Sequence, residues 1–208
     1  MTKKRLKNPP VRKRHDNDTA LIESIQAGSE AGYNELLRRY EKSLYNFGLR
    51  MCRNEGDAED MVQETFLNIV RYVNRFRFET KFKNWLYRIA ASVCIKKRRR
   101  SKFAPGRELS LDEIVPQEAV LAASRIPEWA AVPLSQLLNE ELGRVIRDAI
   151  HALPAHYRLV VNLRDIEGFS TEETAQILDI SEANVKVRLH RARHFMRQRL
   201  QYYFDDDT

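Results

Sequence analysis

Three groups of residues in this 208-residue chain have the types and spacing to recognise another molecule, and all three point to binding rather than to bond-making. The first is Lys186, Val187, Arg188, His190 and Arg191. They lie on a segment that starts near Glu182, in which Val185, Leu189, Ala192 and Met196 recur at i, i+4, i+7 and i+11, the stripe of a buried helix face. Lys186, Val187, His190 and Arg191 point away from that stripe, and Arg188, Arg193, Arg197 and Arg199 surround it. A helix with one narrow apolar face and one basic face suits the major groove of DNA. Upstream, Ser170 and Glu173 have capping-box spacing, and Asp179-Ile180-Ser181 supplies a turn in which Asp tolerates a left-handed backbone. Cap, turn and basic helix in that order predict a helix-turn-helix.

The second group is the loop Arg75-Phe76-Arg77-Phe78-Glu79-Thr80-Lys81-Phe82, where aromatic and basic residues interleave. Single-stranded nucleic acid needs this mixture, because rings stack on bases while cations meet phosphates. The loop leads into a helix with Phe82, Trp85, Leu86, Ile89 and Val93 on its apolar stripe and Lys81, Asn84, Arg88, Ser92 and Ile95 on the other side. Phe82 and Trp85 therefore belong to the core, and Phe76 and Phe78 are the rings expected to meet unstacked bases. The helix ends in Lys96-Lys97-Arg98-Arg99-Arg100, five cations where the helix dipole needs fewer.

The third group is acidic. In Asp57-Ala58-Glu59-Asp60-Met61-Val62-Gln63-Glu64-Thr65-Phe66, the residues Val62, Phe66, Ile69 and Val73 predict a core stripe, and Asp57, Asp60 and Glu64 fall opposite it. Like charges at that spacing repel by a few tenths of a kcal/mol per pair. The helix N-terminus offsets part of this for Asp57 and Asp60, but less for Glu64. Taken alone, the pattern fits a solvated acidic helix start; the aromatic and basic segment that follows it shifts the reading toward an external, positively charged partner.

Nothing else in the chain suggests catalysis. It shows no nucleophile-base pair, no acid pair and no metal-ligand spacing, so no catalytic residue, metal or cofactor is expected. Cys52 and Cys94 lie in helical patterns and read as reduced thiols. No apolar run approaches the roughly 18 residues that span a bilayer, and the basic start lacks the apolar stretch of a secretory signal. Membrane insertion is not expected, and the chain reads as cytoplasmic.

Composition agrees with an anionic partner. The net charge is +7 and the isoelectric point about 9.5. The cations are concentrated in residues 1–19, between Arg71 and Arg107, and in the last helix; acids gather at 55–64, 108–141 and 205–207. Separated blocks of opposite sign predict two partners, only one of them an anion. With seven Gly, seven Pro and no useful period-2 segment, the chain reads as all-α. Two small helical domains joined by a flexible linker are expected: a disordered basic tail over 1–18, a first domain over 19–103, a linker over 104–135 and a second domain over 136–204. Within the first domain, helices are expected at Thr19–Ala27, from Ser29 to a break at Gly56, from Asp57, and after the aromatic loop.

These motifs carry a resemblance. Asp57–Leu67, Phe78–Arg100 and the helix-turn-helix within Leu153–Leu200, with Leu153-Pro154, Tyr157-Arg158, Glu167-Gly168-Phe169-Ser170 and Glu173-Thr174-Ala175, resemble a bacterial sigma factor of the small extracytoplasmic-function group of the sigma-70 family. The match covers about 20–103 and 136–202. It implies a sigma2-like domain that binds the clamp helices of the RNA polymerase β′ subunit and reads and melts the −10 promoter element. It also implies a sigma4-like domain that binds the β flap and reads the −35 element. Asp57, Asp60, Gln63 and Glu64 match the polymerase-binding segment. Arg75, Phe76, Arg77, Phe78, Lys81, Arg88 and Ser92 match the −10 and melting segment. Lys186, Val187, Arg188, His190 and Arg191 match the −35 reading helix. Core polymerase, promoter DNA and an anti-sigma factor are the partners the resemblance implies. The chain departs from the group at Ser92 and Lys96, where Asn and Asp are frequent, and at Val187, where a small hydroxyl residue is frequent. A free-standing helix-turn-helix regulator is the alternative reading, and it would not need the acidic helix. A recombinase with a helix-turn-helix tail stands third.

Overall fold

A computed structural model describes residues 16–52, 54–100 and 140–205. Most of the expected basic tail, all of the expected linker and residues 206–208 lie outside the described residues. Every regular element among the described residues is helical.

Four helices build the first unit. Helix α1, Thr19–Gln26, stops at Ala27-Gly28, where Gly28 takes φ +96° and turns the chain into α2, Glu30–Met51. The Ser29 side chain caps α2 by accepting the Gly32 N–H at 3.2 Å. Leu36, Tyr40, Leu44, Phe47 and Met51 line the buried face of α2. Helix α3, Glu55–Tyr72, starts two residues earlier than its sequence suggests. Its cap is Asn54, which accepts the Asp57 N–H at 2.7 Å, and Gly56 sits inside the first turn rather than at the break. The reason is local: first-turn N–H groups have no intrahelical partner, so a good cap there outweighs the weak helix propensity of a nearby glycine. Ala58, Met61, Val62, Thr65 and Ile69 pack on α2. Gly48 permits that approach, since a Cβ there would stand 2.6 Å from Met61 Cε and 3.1 Å from Ala58 Cβ.

A single 3₁₀ turn, Val73–Arg75, and an irregular loop lead to α4, Phe82–Arg100. Two residues near the start of the described chain fasten this region. Asp16 accepts the Phe82 N–H at 2.8 Å at the head of α4. Gln26 donates to the carbonyls of Val73 and Phe76 at 2.8 and 3.0 Å and so holds the loop.

The second unit contains α5, Glu140–Ala152; α6, Ala155–Val161; α7, Thr171–Leu178; and α8, Glu182–Asp205. A five-residue π turn, Asn162–Ile166, follows α6, and Gly168 at φ +74° redirects the chain. The expected capping box forms in full: Glu173 N–H donates to Ser170 Oγ at 3.0 Å, and Ser170 N–H donates to Glu173 Oε2 at 2.9 Å. Asp179 takes the left-handed conformation at φ 55° that ends α7. Val185, Leu189, Ala192 and Met196 are buried against Ile150, Leu153, Tyr157, Val160, Val161 and Ala175. Arg193 forks onto Asp165, with Nε to Oδ2 at 2.9 Å, tying α8 to the π turn.

The two units do not stand apart. Leu159, Leu163, Phe169 and Ile177 of the second unit join the same apolar cluster as Phe47, Phe82 and Tyr87 of the first. The ring of Phe169 meets the edge of Tyr87 with centroids 5.0 Å apart, and Tyr87 in turn meets Phe47 at 5.4 Å.

Candidate nucleic-acid interface

Three faces remain open to solvent, one for each group of residues singled out by their spacing. On α3, Asp60, Gln63 and Glu64 are exposed and Asp57 is half-buried, its carboxylate accepting from the Asn54 amide at 2.8 Å. Leu67 and Val70 are 56% and 53% exposed on the same side, one and two turns beyond Gln63. The charge pattern does not single out these two, but their positions off the Val62–Phe66–Ile69–Val73 stripe mark them as residues the core does not need. The face is therefore acidic at one end and apolar at the other. Such a surface suits a protein partner better than a nucleic acid.

The second face runs over the loop and α4, and here two rings expected at the surface are buried. Phe76 and Phe78 are each only 7% exposed. Phe76 packs against Phe78, Phe82 and Trp85 with centroids 5.0, 5.7 and 5.2 Å away. Neither ring presents a face to solvent. The physical reason is local packing: Phe76, just past the 3₁₀ turn, seats on Phe82 and Trp85 at the head of α4, and the left-handed backbone at Phe78 lays its ring on Phe76. The apolar pair turns inward, and Arg75 and Arg77 are left exposed. Phe78 adopts φ 58°, a left-handed backbone unusual for an aromatic residue, and the ring cluster holds it there. Along α4, Arg88, Ser92 and Lys96 are exposed at successive i+4 positions, and Ile95 is 38% exposed beside them. Asn84, expected on this open side, is instead buried, because α7 packs over that turn of α4. Lys81 keeps half its side chain in solvent and pairs with Glu173 at 3.0 Å.

The third face is the outer surface of α8. Lys186 is exposed, Val187 is 45% exposed, and Arg188, His190 and Arg191 are half-buried. The Arg191 Nε is shielded from solvent. Lys186 and Val187, near the N-terminal end of the helix, are the most open of the five.

Beneath these faces lies a polar junction between α2, α4 and the π turn. Arg50 donates from Nε to Asn162 Oδ1 and from Nη2 to Glu167 Oε1, both at 2.5 Å. Tyr87 donates its hydroxyl to the other oxygen of Glu167, and Lys83 donates to the Glu167 carbonyl at 3.1 Å. Arg158 donates to the Met51 carbonyl at 2.8 Å, and the His151 ring lies 2.9 Å from the Leu49 carbonyl. Burial, then the Glu167 charge, pushes the Tyr87 hydroxyl well above its ordinary range, so it stays a donor. Burial pulls the Arg50 guanidinium below its ordinary value, against the attraction of Glu167. Burial would raise the Glu173 carboxyl. The hydrogen bonds from the Ser170 backbone and Lys81 outweigh that and hold it below its ordinary 4.5.

Among the described residues no three His, Cys, Asp or Glu side chains are grouped to hold a metal ion, and no helix is long and apolar enough to cross a membrane. The Cys52 thiol lies 3.7 Å from the Asp57 carbonyl, and Cys94 is buried in the core of the first unit.

Comparison with known proteins adds to this geometry. The family model for sigma-70 region 2 matches residues 36–103, and that for sigma-70 region 4 matches residues 143–196. The chain is 31% identical over 186 residues to the ECF RNA polymerase sigma-E factor of Haemophilus influenzae, covering 88% of this chain and 95% of that protein. It is 31% identical over 179 residues to the ECF RNA polymerase sigma factor SigW of Bacillus subtilis, covering 86% and 94%. Among solved structures it resembles CnrH in complex with the cytosolic domain of CnrY, with a TM-score of 0.63, 23% identity and coverage of 93% of this chain and 100% of that one. It also resembles the sigma factor RpoE in complex with the anti-sigma factor NepR from Bartonella quintana, with a TM-score of 0.60, 22% identity and coverage of 81% and 96%. At those identities the likeness is one of fold.

Proposed function

Because the chain belongs to the extracytoplasmic-function group of sigma-70 RNA polymerase sigma factors, we propose a division of labour among its three open faces. As a member of that group it binds core RNA polymerase and directs initiation at specific promoters, and it is not a free-standing regulator. The alignment runs through both units, including the acidic helix that a simple DNA-binding regulator would not need.

Asp57, Asp60, Gln63 and Glu64 dock on the β′ clamp helices, and Leu67 and Val70 extend that contact with apolar surface. Arg75, Arg77, Lys81, Arg88 and Ser92 hold the −10 element and its displaced strand. Phe76 and Phe78 shape this loop from inside and do not stack on bases. Lys186, Val187, Arg188, His190 and Arg191 read the −35 element, with Lys186 and Val187 deepest in the groove. The second unit also meets the β flap, and an anti-sigma factor is a further partner. The chain supplies contacts, not catalysis, and works in the cytoplasm beside polymerase and DNA. The observation that carries the reading is the pairing, on one chain, of an exposed acidic and apolar face on α3 with exposed cations on α4 and α8.

Asp60→Lys combined with Glu64→Lys tests it. Both side chains are exposed, so circular dichroism should not change. Affinity for core polymerase should fall at least tenfold in a fluorescence titration, and run-off transcription should fall with it. Unchanged affinity with an intact fold would remove α3 from the polymerase contact.

A further inference from the structure

The first turns of α8 carry two uncharged side chains whose chemistry selects the bases they meet. We propose that Asn184 and Val187 read A·T pairs in the −35 element: the Asn184 carboxamide pairs with the major-groove edge of an adenine, and the Val187 methyl groups seat against the 5-methyl group of a thymine. The proposal rests on the reading of α8 given above, and adds to it one residue, Asn184, and the identity of the bases.

The placement follows from the helix. Val185, Leu189, Ala192 and Met196 form its buried stripe. At about 3.6 residues per turn, Val187 falls in the middle of the opposite face. Asn184 and Arg191 lie along one flank of it, and Lys186 and His190 along the other. Ala183, Asn184, Lys186 and Val187 are all exposed, whereas His190 and Arg191 are half-buried. A recognition helix sets its N-terminal residues against base edges, and this is the end that α8 leaves open. The Ser181 hydroxyl accepts the Asn184 N–H at 3.2 Å, and the Ser181 carbonyl accepts the Val185 N–H at 3.1 Å, so the turn is held by backbone groups. The Asn184 carboxamide takes no part in that cap. Ala183, one turn before Val187, carries a single methyl group and lets the groove come close.

Chemistry then selects the bases. Val187 is 45% exposed, and its side chain has no hydrogen-bonding atom. Set against a guanine, cytosine or adenine edge, it would strip water from donors and acceptors and return nothing. Thymine alone presents an apolar group in the major groove. Asn184 offers a donor and an acceptor side by side, and adenine N7 and N6 match both. Residues three apart on a helix stand about 5–6 Å apart, less than two base-pair steps of roughly 3.4 Å. Asn184 and Val187 therefore reach the same A·T pair or adjacent pairs.

Small changes to the DNA test this. The full chain with core polymerase first selects its −35 element from a random pool. Each A·T pair of the selected duplex is then altered alone. Uracil in place of thymine removes the methyl group, and 7-deazaadenine in place of adenine removes N7. Wild-type affinity should fall about threefold or more at one thymine, and about fivefold or more at an adenine of the same or an adjacent pair. Val187→Ser should bind thymine and uracil duplexes alike, and Asn184→Ala should lose its response to 7-deazaadenine. Both variants should keep the wild-type circular dichroism and urea midpoint, because both side chains are exposed. A wild-type chain that ignores every methyl deletion, or a Val187→Ser variant that still responds, overturns the thymine contact. A loss in Asn184→Ala that is equal on every −35 sequence places the carboxamide on a phosphate and overturns the adenine contact. A selected element without A·T pairs overturns both. Selection that yields a −10 element but no −35 preference overturns the reading of α8 itself, and the proposal with it.

Discussion

At the scale of single residues, burial decides between roles that type alone leaves open. Phe76 has the chemistry to stack on a base, but it spends that surface on Phe78, Phe82 and Trp85. Phe76→Ala should therefore cost about 3–5 kcal/mol of stability, the range for a buried ring, in urea unfolding. A pre-melted promoter should not restore transcription at temperatures where the variant is unfolded. Rescue by the bubble at full stability would return the ring to the DNA. Glu173 serves two masters, with one oxygen on its own helix cap and the other on Lys81. Its carboxyl titrates lower in the folded chain than in the unfolded one. Its contribution is therefore complete above about pH 4.5 and is lost as pH falls through the lowered folded value. The stability gap between wild type and Glu173→Gln should be flat from pH 6 to 8 and shrink on further acidification below pH 4.5. A gap independent of pH down to acid unfolding would rule out the ion pair as its source.

Helices show how one element serves two partners. Helix α3 buries Ala58, Met61, Val62, Thr65 and Ile69 and leaves Leu67 and Val70 in solvent. Exposed apolar side chains beside carboxylates add nothing to the isolated fold, so their removal should be felt only on binding. Leu67→Ala with Val70→Ala should leave the urea midpoint within error of wild type. It should weaken core-polymerase binding by about 1–3 kcal/mol, as central apolar contacts in protein interfaces do. If the midpoint falls and the affinity stays, the pair belongs to the fold. Helix α8 is similarly divided, with a buried stripe against α5, α6 and α7 and a basic outer surface, and Arg193 is drawn off that surface by Asp165.

For the whole molecule, the shared cluster of Phe47, Phe82, Tyr87, Leu163, Phe169 and Ile177 couples the two units thermodynamically. Calorimetry of the wild-type chain should give one cooperative transition. Arg50→Glu opposes Glu167 across the seam and should split it into two, one for each unit. Two transitions already present in the wild type would mean that the seam contributes little to stability.

The sequence by itself determined what is local. Helix positions follow from apolar periodicity, the capping box from Ser170 and Glu173 three residues apart, and the turn from an Asp that accepts a left-handed backbone; each depends on neighbours within a turn or two. The exposure of Asp60, Glu64 and Lys186 was legible for the same reason, since charge and periodicity on one helix face need no tertiary information. The start of α3 was misjudged by two residues because Gly56 is more conspicuous than the cap at Asn54. Tertiary structure alone decided which face each ring and cation ends on. Nothing in the loop sequence says that Phe76 and Phe78 will find Phe82 and Trp85 rather than a base. Nothing near Glu167 says that Arg50, 117 positions away, will meet it. Contacts over that separation are selected by the packing of the whole chain, so the seam between the units could only be read from the fold.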